Sequence, residues 1–481
     1  MQTKNNPHPA LPGVNDLNVT GLLPFNFRRV GEDYFLTNDI GESRFLAPDQ
    51  FTQLVTGQLE TSDELYTELQ SQGFIQGSLS DSEYYEKFWA NRKHLFSGPS
   101  LHRLVLANRN GPTMSTKVAE KAIRFAFQTT NPELVIEFRG EESLNHWDTL
   151  THCVQYAQQK NTTHKKQLSF SLVNNLSGLD EEKLTFLLEN QIQICTVLGA
   201  PEEGSQNREA NATTLTWVRK INQRYEEMGL TPAMGRVEVL QTITGDSFPY
   251  WKEIVDTFVD LGCQTVFLNG LDAFDNVNAS AKGLDYSTED FLTFYTNMLN
   301  YIIELNEGGV QITEQLAATM SSRMGGKHEL AYLNLRCPRG PVLGQLAYSP
   351  EGDVYSSYEG LMVAAMGDDF FQLGNLSSLT YSELLKSPQA RALVIASIQD
   401  SLPVIGDSTY KPFFLQQPEI HYITQGSIHG RMPESLWYQR QMGVFDYLAK
   451  RIKHNDSGDK AIFERWGVAA DRTHFVHNAA Q

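Results

Sequence analysis

A chain of 481 residues is too long for one small domain and long enough for a large core with flanking modules. Apolar residues at 41% and aromatics at 11% exclude a disordered polymer, and a net charge of −18 excludes non-specific nucleic-acid binding, which needs basic surface. No apolar run has the length of a membrane span, and the stretch Met1–Pro7 has no apolar signal segment, so the expectation is a cytoplasmic protein with no membrane partner.

Residues 1–21 are rich in Pro and Asn and are expected to be disordered. Residues 22–79 read as a small α+β module. Tyr34-Phe-Leu-Thr37 and Ser43-Arg-Phe-Leu46 predict two strands joined by the turn Asn38–Gly41. Pro48 suits the first position of a helix carrying Phe51, Leu54 and Val55, and Ser62 is a cap candidate for a second helix with Leu65 and Leu69. Residues 80–100, with Tyr84, Tyr85, Phe88 and Trp89, predict a helical linker.

From 101 to 329 strand and helix signals alternate. Apolar runs at His102–Ala107, Glu133–Phe138, Gln167–Val173, Gln193–Val197, Arg236–Leu240 and Thr265–Leu268 alternate with helical periods such as Lys117–Phe127, Glu181–Glu189, Leu215–Met228, Tyr250–Leu261 and Thr288–Asn306. Six βα units in a row imply an α/β fold with a parallel sheet, open or closed. In such folds the chemistry sits where strands end. The four cysteines, Cys153, Cys195, Cys263 and Cys337, show no tight pair, so the reading is scattered buried thiols, or a site that assembles only in the fold. His421 and His429 read as loop residues.

The stretches Leu101–Asn110 and Val135–Ser143 run from apolar strand into polar loop. They resemble the start of a radical S-adenosylmethionine (radical SAM) core, and the chain as a whole resembles the His-Xaa-Ser-system radical SAM maturases of ribosomally made peptides. That family carries Cys-x3-Cys-x2-Cys after the first strand, to hold a [4Fe–4S] cluster. Here Asn110 stands at the first cysteine place, and Gly111-Pro-Thr-Met-Ser115 already reads as the next helix start. The family's Gly-Gly-Glu-Pro, which grips the methionine amino group, is Gly140-Glu-Glu-Ser143, matching at Gly140 and Glu142. Asn174 replaces a Thr, Gly199 an aspartate and Asn269 an arginine, while Asn207-Arg208 matches. The resemblance implies a degenerate SAM pocket at Asn110, Arg139, Gly140, Glu142 and Asn174.

Residues 330–450 resemble the family's SPASM extension, which holds auxiliary iron–sulfur clusters. Leu346–Tyr355, Met366–Phe370 and Leu373–Leu376 keep its frame, but Ile405, Ser408, Phe414 and Tyr438 stand in cysteine places. Iron–sulfur cores are held by Cys and occasionally His. The resemblance therefore implies a radical-SAM-like partial (β/α)6 barrel with a peptide-recognition-like N-terminal domain and a SPASM-like module, working as a non-catalytic subunit of ribosomal-peptide maturation; the alternatives are an enzyme of a different class using the emptied barrel and an interaction scaffold outside peptide maturation. It implies no metal, no cofactor and no retained SAM binding. The expected partners are a precursor peptide, an active radical SAM maturase, or both, in a hetero-oligomer. The peptide would add as a strand at Tyr34, Phe35, Leu36 and Thr37, unless the module is a structural cap. Residues 451–481 read as a polar tail in which Phe463 and Trp466, like the acidic stretch Gly367–Phe371, are candidate contact surface.

Overall fold

The computed structural model describes residues 13–90, 100–107, 111–140, 143–199, 206–229, 237–263, 265–269, 286–324, 340–414, 417–453 and 459–469. Asn110, Glu142, Cys337 and the end of the tail lie outside them.

The N-terminal module is an antiparallel sheet of β1 (Phe25–Val30), β2 (Asp33–Asn38) and β3 (Ser43–Leu46), in that order, with helices α1 (Pro48–Val55), α2 (Glu64–Ser71) and α3 (Asp81–Ala90). Pro48 opens α1, as its fixed φ favours. The cap of α2 is Asp63, one residue beyond the expected Ser62. Tyr34 stacks on Phe51 at 4.1 Å to seal the module's own core, with Leu36, Leu54, Leu69 and Phe74. The sequence reading missed β1, and that corrects the expected peptide site. Tyr34–Thr37 form the central strand, paired with β1 on one side and β3 on the other, so no peptide strand adds there.

The larger unit is built on a ten-stranded sheet. Its strands are β4 (Ser100–Val105), β5 (Glu133–Arg139), β6 (Gln167–Val173), β7 (Gln193–Leu198), β8 (Glu238–Thr242), β9 (Thr265–Asn269), β10 (Thr313–Glu314), β11 (Gln345–Tyr348), β12 (Asp353–Tyr355) and β13 (Gln372–Asn375). Their order is β10-β9-β8-β7-β6-β5-β4-β11-β12-β13, parallel from β10 through β11 and antiparallel beyond. Helices α4 (Thr116–Ala126), α5 (Trp147–His164), α6 (Glu181–Glu189), α7 (Gln206–Glu227), α8 (Trp251–Asp260) and α9 (Thr288–Glu307) follow β4 to β9 in turn, and α10 (Gln315–Met324) follows β10. Each strand splits its residues between two faces. Leu104, Ile136, Phe138 and Leu172 join the large helix-covered core, whereas Leu101, Arg103, Val135, Glu137, Arg139 and Ser171 lie on the opposite face.

The C-terminal segment is no detached module, since β11 pairs in parallel with β4 and extends the same sheet. Its helices are α11 (Tyr358–Ala365), α12 (Tyr381–Lys386), α13 (Pro388–Ala396), α14 (Pro418–Gln425), α15 (Leu436–Lys453) and α16 (Asp459–Ala469). The N-terminal module is anchored onto it. Arg28 meets Asp446 with two 2.8 Å bonds, the Thr37 hydroxyl donates to the Thr409 carbonyl at 2.8 Å, and Lys411 reaches Asp39 and Asp400. Phe463 and Trp466 are 2% and 1% exposed on α16, which packs on α10, so they are core and not contact surface. Of the acidic stretch, Gly367–Phe370 are exposed, with Phe370 stacked on Tyr422, and Phe371 is fully buried. Among the described residues no helix is long and apolar enough to cross a membrane.

Candidate functional site

The carboxyl ends of β4 to β7 meet in polar loops. At the end of β4, Met114 N donates to Leu106 O at 2.7 Å and Ala107 bridges Thr113, so of the residues 106–115 that join strand to helix only 108–112 lie between the bridged pair, fewer than the eight that Cys-x3-Cys-x2-Cys spans. At the end of β5, Gly140 turns with φ +110°, and a Cβ there would stand 3.0 Å from the Ala107 carbonyl oxygen. Only glycine allows that bend and that approach. Asn174, at the end of β6, fixes the loop by donating Nδ2 to the Gly140 carbonyl at 2.8 Å and accepting from Leu176 N at 2.7 Å. At the end of β7, Gly199 exchanges two bonds with Asn211, and Gln241 donates to the Gly199 carbonyl at 3.0 Å.

Behind this edge lies a charge cluster that the sequence reading missed. Glu137 Oε1 accepts from Arg103 Nε at 2.8 Å and from Arg139 Nε at 2.6 Å, and Arg103 also reaches Gln345 Oε1 at 2.5 Å. The Arg139 guanidinium lies 4.4 Å over the Tyr358 ring, tying the strand end to α11. Burial opposes ionisation of Glu137, but Arg139 and Arg103 outweigh it and hold the carboxyl below its usual range. Burial likewise opposes the charge on Arg139, and Glu137 prevails to raise its pKa. The legible signal was a basic and an acidic residue breaking two neighbouring apolar strand runs.

The expected pocket residues divide. Gly140 and Asn174 come together; Arg139 turns back toward Glu137 and Tyr358; Asn110 and Glu142 lie outside the described residues. Of the four residues in SPASM cysteine places, Phe414 and Tyr438 meet face to face. Phe414 is fully buried and stacks on half-buried Tyr438 at 5.3 Å and 8°, Ile405 is fully buried, and Ser408 caps its own turn by accepting from Tyr410 N at 3.2 Å.

An iron–sulfur cluster does not fit the side chains described. Among the described residues no three His, Cys, Asp or Glu converge. Cys153, Cys195 and Cys263 sit buried on separate elements, and burial pushes the Cys153 thiol up to about 12 and raises Cys195 as well. At the strand ends, by contrast, Gly140 bends where the Ala107 carbonyl approaches it, and its own carbonyl accepts from Asn174 Nδ2 and Ser143 N.

No protein-family model matches the chain, and no curated protein does. Solved structures do match, and what they show is the fold, which is radical SAM-like. The particular likeness is to hexahistidine-tagged anSMEcpe with bound AdoMet, at TM-score 0.58 and 15% identity, over 79% of this chain and 100% of that one. Native anSMEcpe with bound AdoMet and Cp18Cys peptide matches at TM-score 0.56 and 16% identity, over 74% and 99%. The version with Kp18Cys peptide matches at TM-score 0.55 and 15% identity, over 74% and 99%. These neighbours correct the expectation of no cofactor and lost SAM binding, because the matched structures hold AdoMet. The expectation equated missing cluster ligands with a missing site.

Proposed function

We propose that this chain is a radical-SAM-like subunit of ribosomal-peptide maturation, akin to the His-Xaa-Ser-system maturases, which binds AdoMet and a precursor peptide without performing the radical step. The observation that carries this is the contrast between intact strand ends and filled cluster places. Gly140 keeps a bend that a side chain would obstruct, while Phe414 and Tyr438 pack against each other where thiolates would stand. AdoMet would supply a sulfonium nucleoside with an amino-acid end. The backbone at Gly140, with Asn174 holding its loop, is the place to receive it.

The peptide would add to β3. Asn38 N donates to Glu42 O at 3.1 Å, so by antiparallel alternation Leu36–Arg44 and Tyr34–Leu46 are the bonded pairs. Ser43 and Phe45 then turn their N–H and C=O groups outward, along an edge that no other strand covers among the described residues. On the opposite side the Asn26 side chain of β1 donates Nδ2 to the Gly406 and Ser408 carbonyls, docking that strand on the C-terminal segment. A cytoplasmic setting and an active radical SAM partner in a hetero-oligomer complete the reading. Co-expression with neighbouring genes tests it. Co-purification with a precursor peptide or a cluster-bearing maturase, with AdoMet binding intact, is the expected result. A chain that binds neither AdoMet nor any product of its neighbouring genes would overturn it.

A further inference from the structure

Buried charges in proteins are normally paired. Arg103, fully buried, and Arg139, mostly buried, follow that rule, each meeting Glu137 within 2.8 Å. Arg440, on α15, does not. It is 3% exposed, yet among the described residues it forms no ion pair. Its Nη2 donates to the Tyr286 carbonyl at 2.7 Å and its Nε has no partner. Its guanidinium lies 3.9 Å over the Tyr286 ring and 5.9 Å from the Phe291 ring. Burial lowers its pKa, and only Tyr286 counters that.

The place is informative. Tyr286 sits between β9 and α9, and Gly245, just after β8, lies against it, with a Cβ there 3.7 Å from that of Tyr286. Arg440 therefore comes from the C-terminal segment to the same carboxyl edge of the sheet that holds Gly140 and Asn174. Phe248 packs edge-on against Tyr286 at 4.8 Å and makes the surroundings aromatic. A guanidinium carries five N–H donors in a planar fork that matches a carboxylate. One such cation in an aromatic wall suits a single negative charge better than a phosphate dianion.

We propose that Arg440 is the receptor for a carboxylate of the bound peptide, from an acidic side chain or the C-terminus, docked at the β8–β9 end of the sheet. This rests on the peptide-binding reading given above and adds a specificity element to it. The aromatic stack alone is the rival explanation. It predicts that Arg440 is needed for folding and binds nothing.

The probes are sodium acetate, a capped tetrapeptide Ac-Ala-Glu-Ala-Ala-NH2, its Gln counterpart, and the same Gln peptide with a free C-terminus. Acetate, compared with chloride at equal ionic strength, should raise the Tm of the wild-type chain and leave that of Arg440→Met unmoved. The Glu peptide or the free-acid peptide should bind wild type at least about tenfold more tightly than the capped Gln peptide, with that preference gone in Arg440→Met. Which of the two wins identifies the source of the carboxylate. Without ligand, Arg440→Met should melt at or above the wild-type temperature, because it removes an unpaired buried charge. A lower ligand-free Tm together with no acetate effect on wild type would overturn the proposal in favour of the aromatic stack. Should Arg440→Met not fold, Arg440→Lys keeps the charge without the fork. Its retaining the full carboxylate preference would also overturn the proposal. Acetate acting through Arg440 while no precursor peptide binds would instead break the peptide reading and leave the anion site standing. Precursor binding that is equal in wild type and Arg440→Met would do the reverse.

Discussion

Two buried regions of this protein answer the same question differently. Around Phe414 and Tyr438 the interior is aromatic, closed by Trp437 and Phe445. Behind the sheet's carboxyl edge it is charged, with Arg103, Glu137 and Arg139 buried together. Apolar filling stabilises a fold without any ligand, since a large buried side chain contributes roughly 1.5–3 kcal/mol. Buried charge stabilises poorly, and hydrophobic replacements of such groups are often neutral or better. An aromatic interior holds together without a cofactor, whereas a buried charge cluster adds little stability for its own sake. This contrast is what supports the proposed AdoMet site beside the charged region.

The comparison can be broken most forcefully at its apolar pole. Phe414→Ala should destabilise the chain by about 3–5 kcal/mol, because its stacked partner and the surrounding rings cannot all collapse into the space. Urea denaturation measures this, and a cost under about 1 kcal/mol would mean a loosely packed site able to admit a cluster.

At the charged pole, Glu137→Gln leaves two buried guanidiniums without their shared carboxylate and should cost about 3 kcal/mol. Because the folded carboxyl lies below its unfolded range, its contribution is present above about pH 4.3 and is lost as pH falls through the folded value. The variant should therefore lose part of the acid sensitivity of wild type below about pH 4.

Two histidines sharpen the same point at milder pH. Burial depresses His102 to about 3 and His421 to about 4. The unfolded chain takes up these protons near pH 6.5, so stability present above that value is lost on acidification. Each should cost about 2 kcal/mol between about pH 6.5 and 5. Equal urea midpoints at pH 7 and pH 5 would contradict the buried neutral state of both.

The smallest expected effect concerns the peptide edge. Ser43→Pro removes one outward donor from β3 and should weaken precursor binding by up to about tenfold, with little change in melting temperature. Leu36→Pro, inside the bonded ladder, should unfold the module instead.

Much of the fold was legible because its strands are short apolar runs between amphipathic helices. Glu181–Glu189 matches its helix at both ends, and Gln167–Val173 its strand. What escaped notice lacked a local signal. β1 reads Phe-Asn-Phe-Arg-Arg-Val, with basic residues that look like surface until Asp446 arrives from 418 residues away. The joining of β11 to β4 is likewise a long-range pairing. At the site, Gly140 and Asn174 were legible as strand-end residues, and their contact came with the fold. Arg440 was invisible, because nothing in a helical period separates a buried arginine from an exposed one.

The central claim is that AdoMet binds without a cluster. Isothermal titration of AdoMet into protein purified with chelator, with iron measured on the same sample, tests it most directly. The account predicts saturable binding at well under about one iron per chain, against about four for a single [4Fe–4S] cluster. Binding that appears only after reconstitution to about four irons would contradict it.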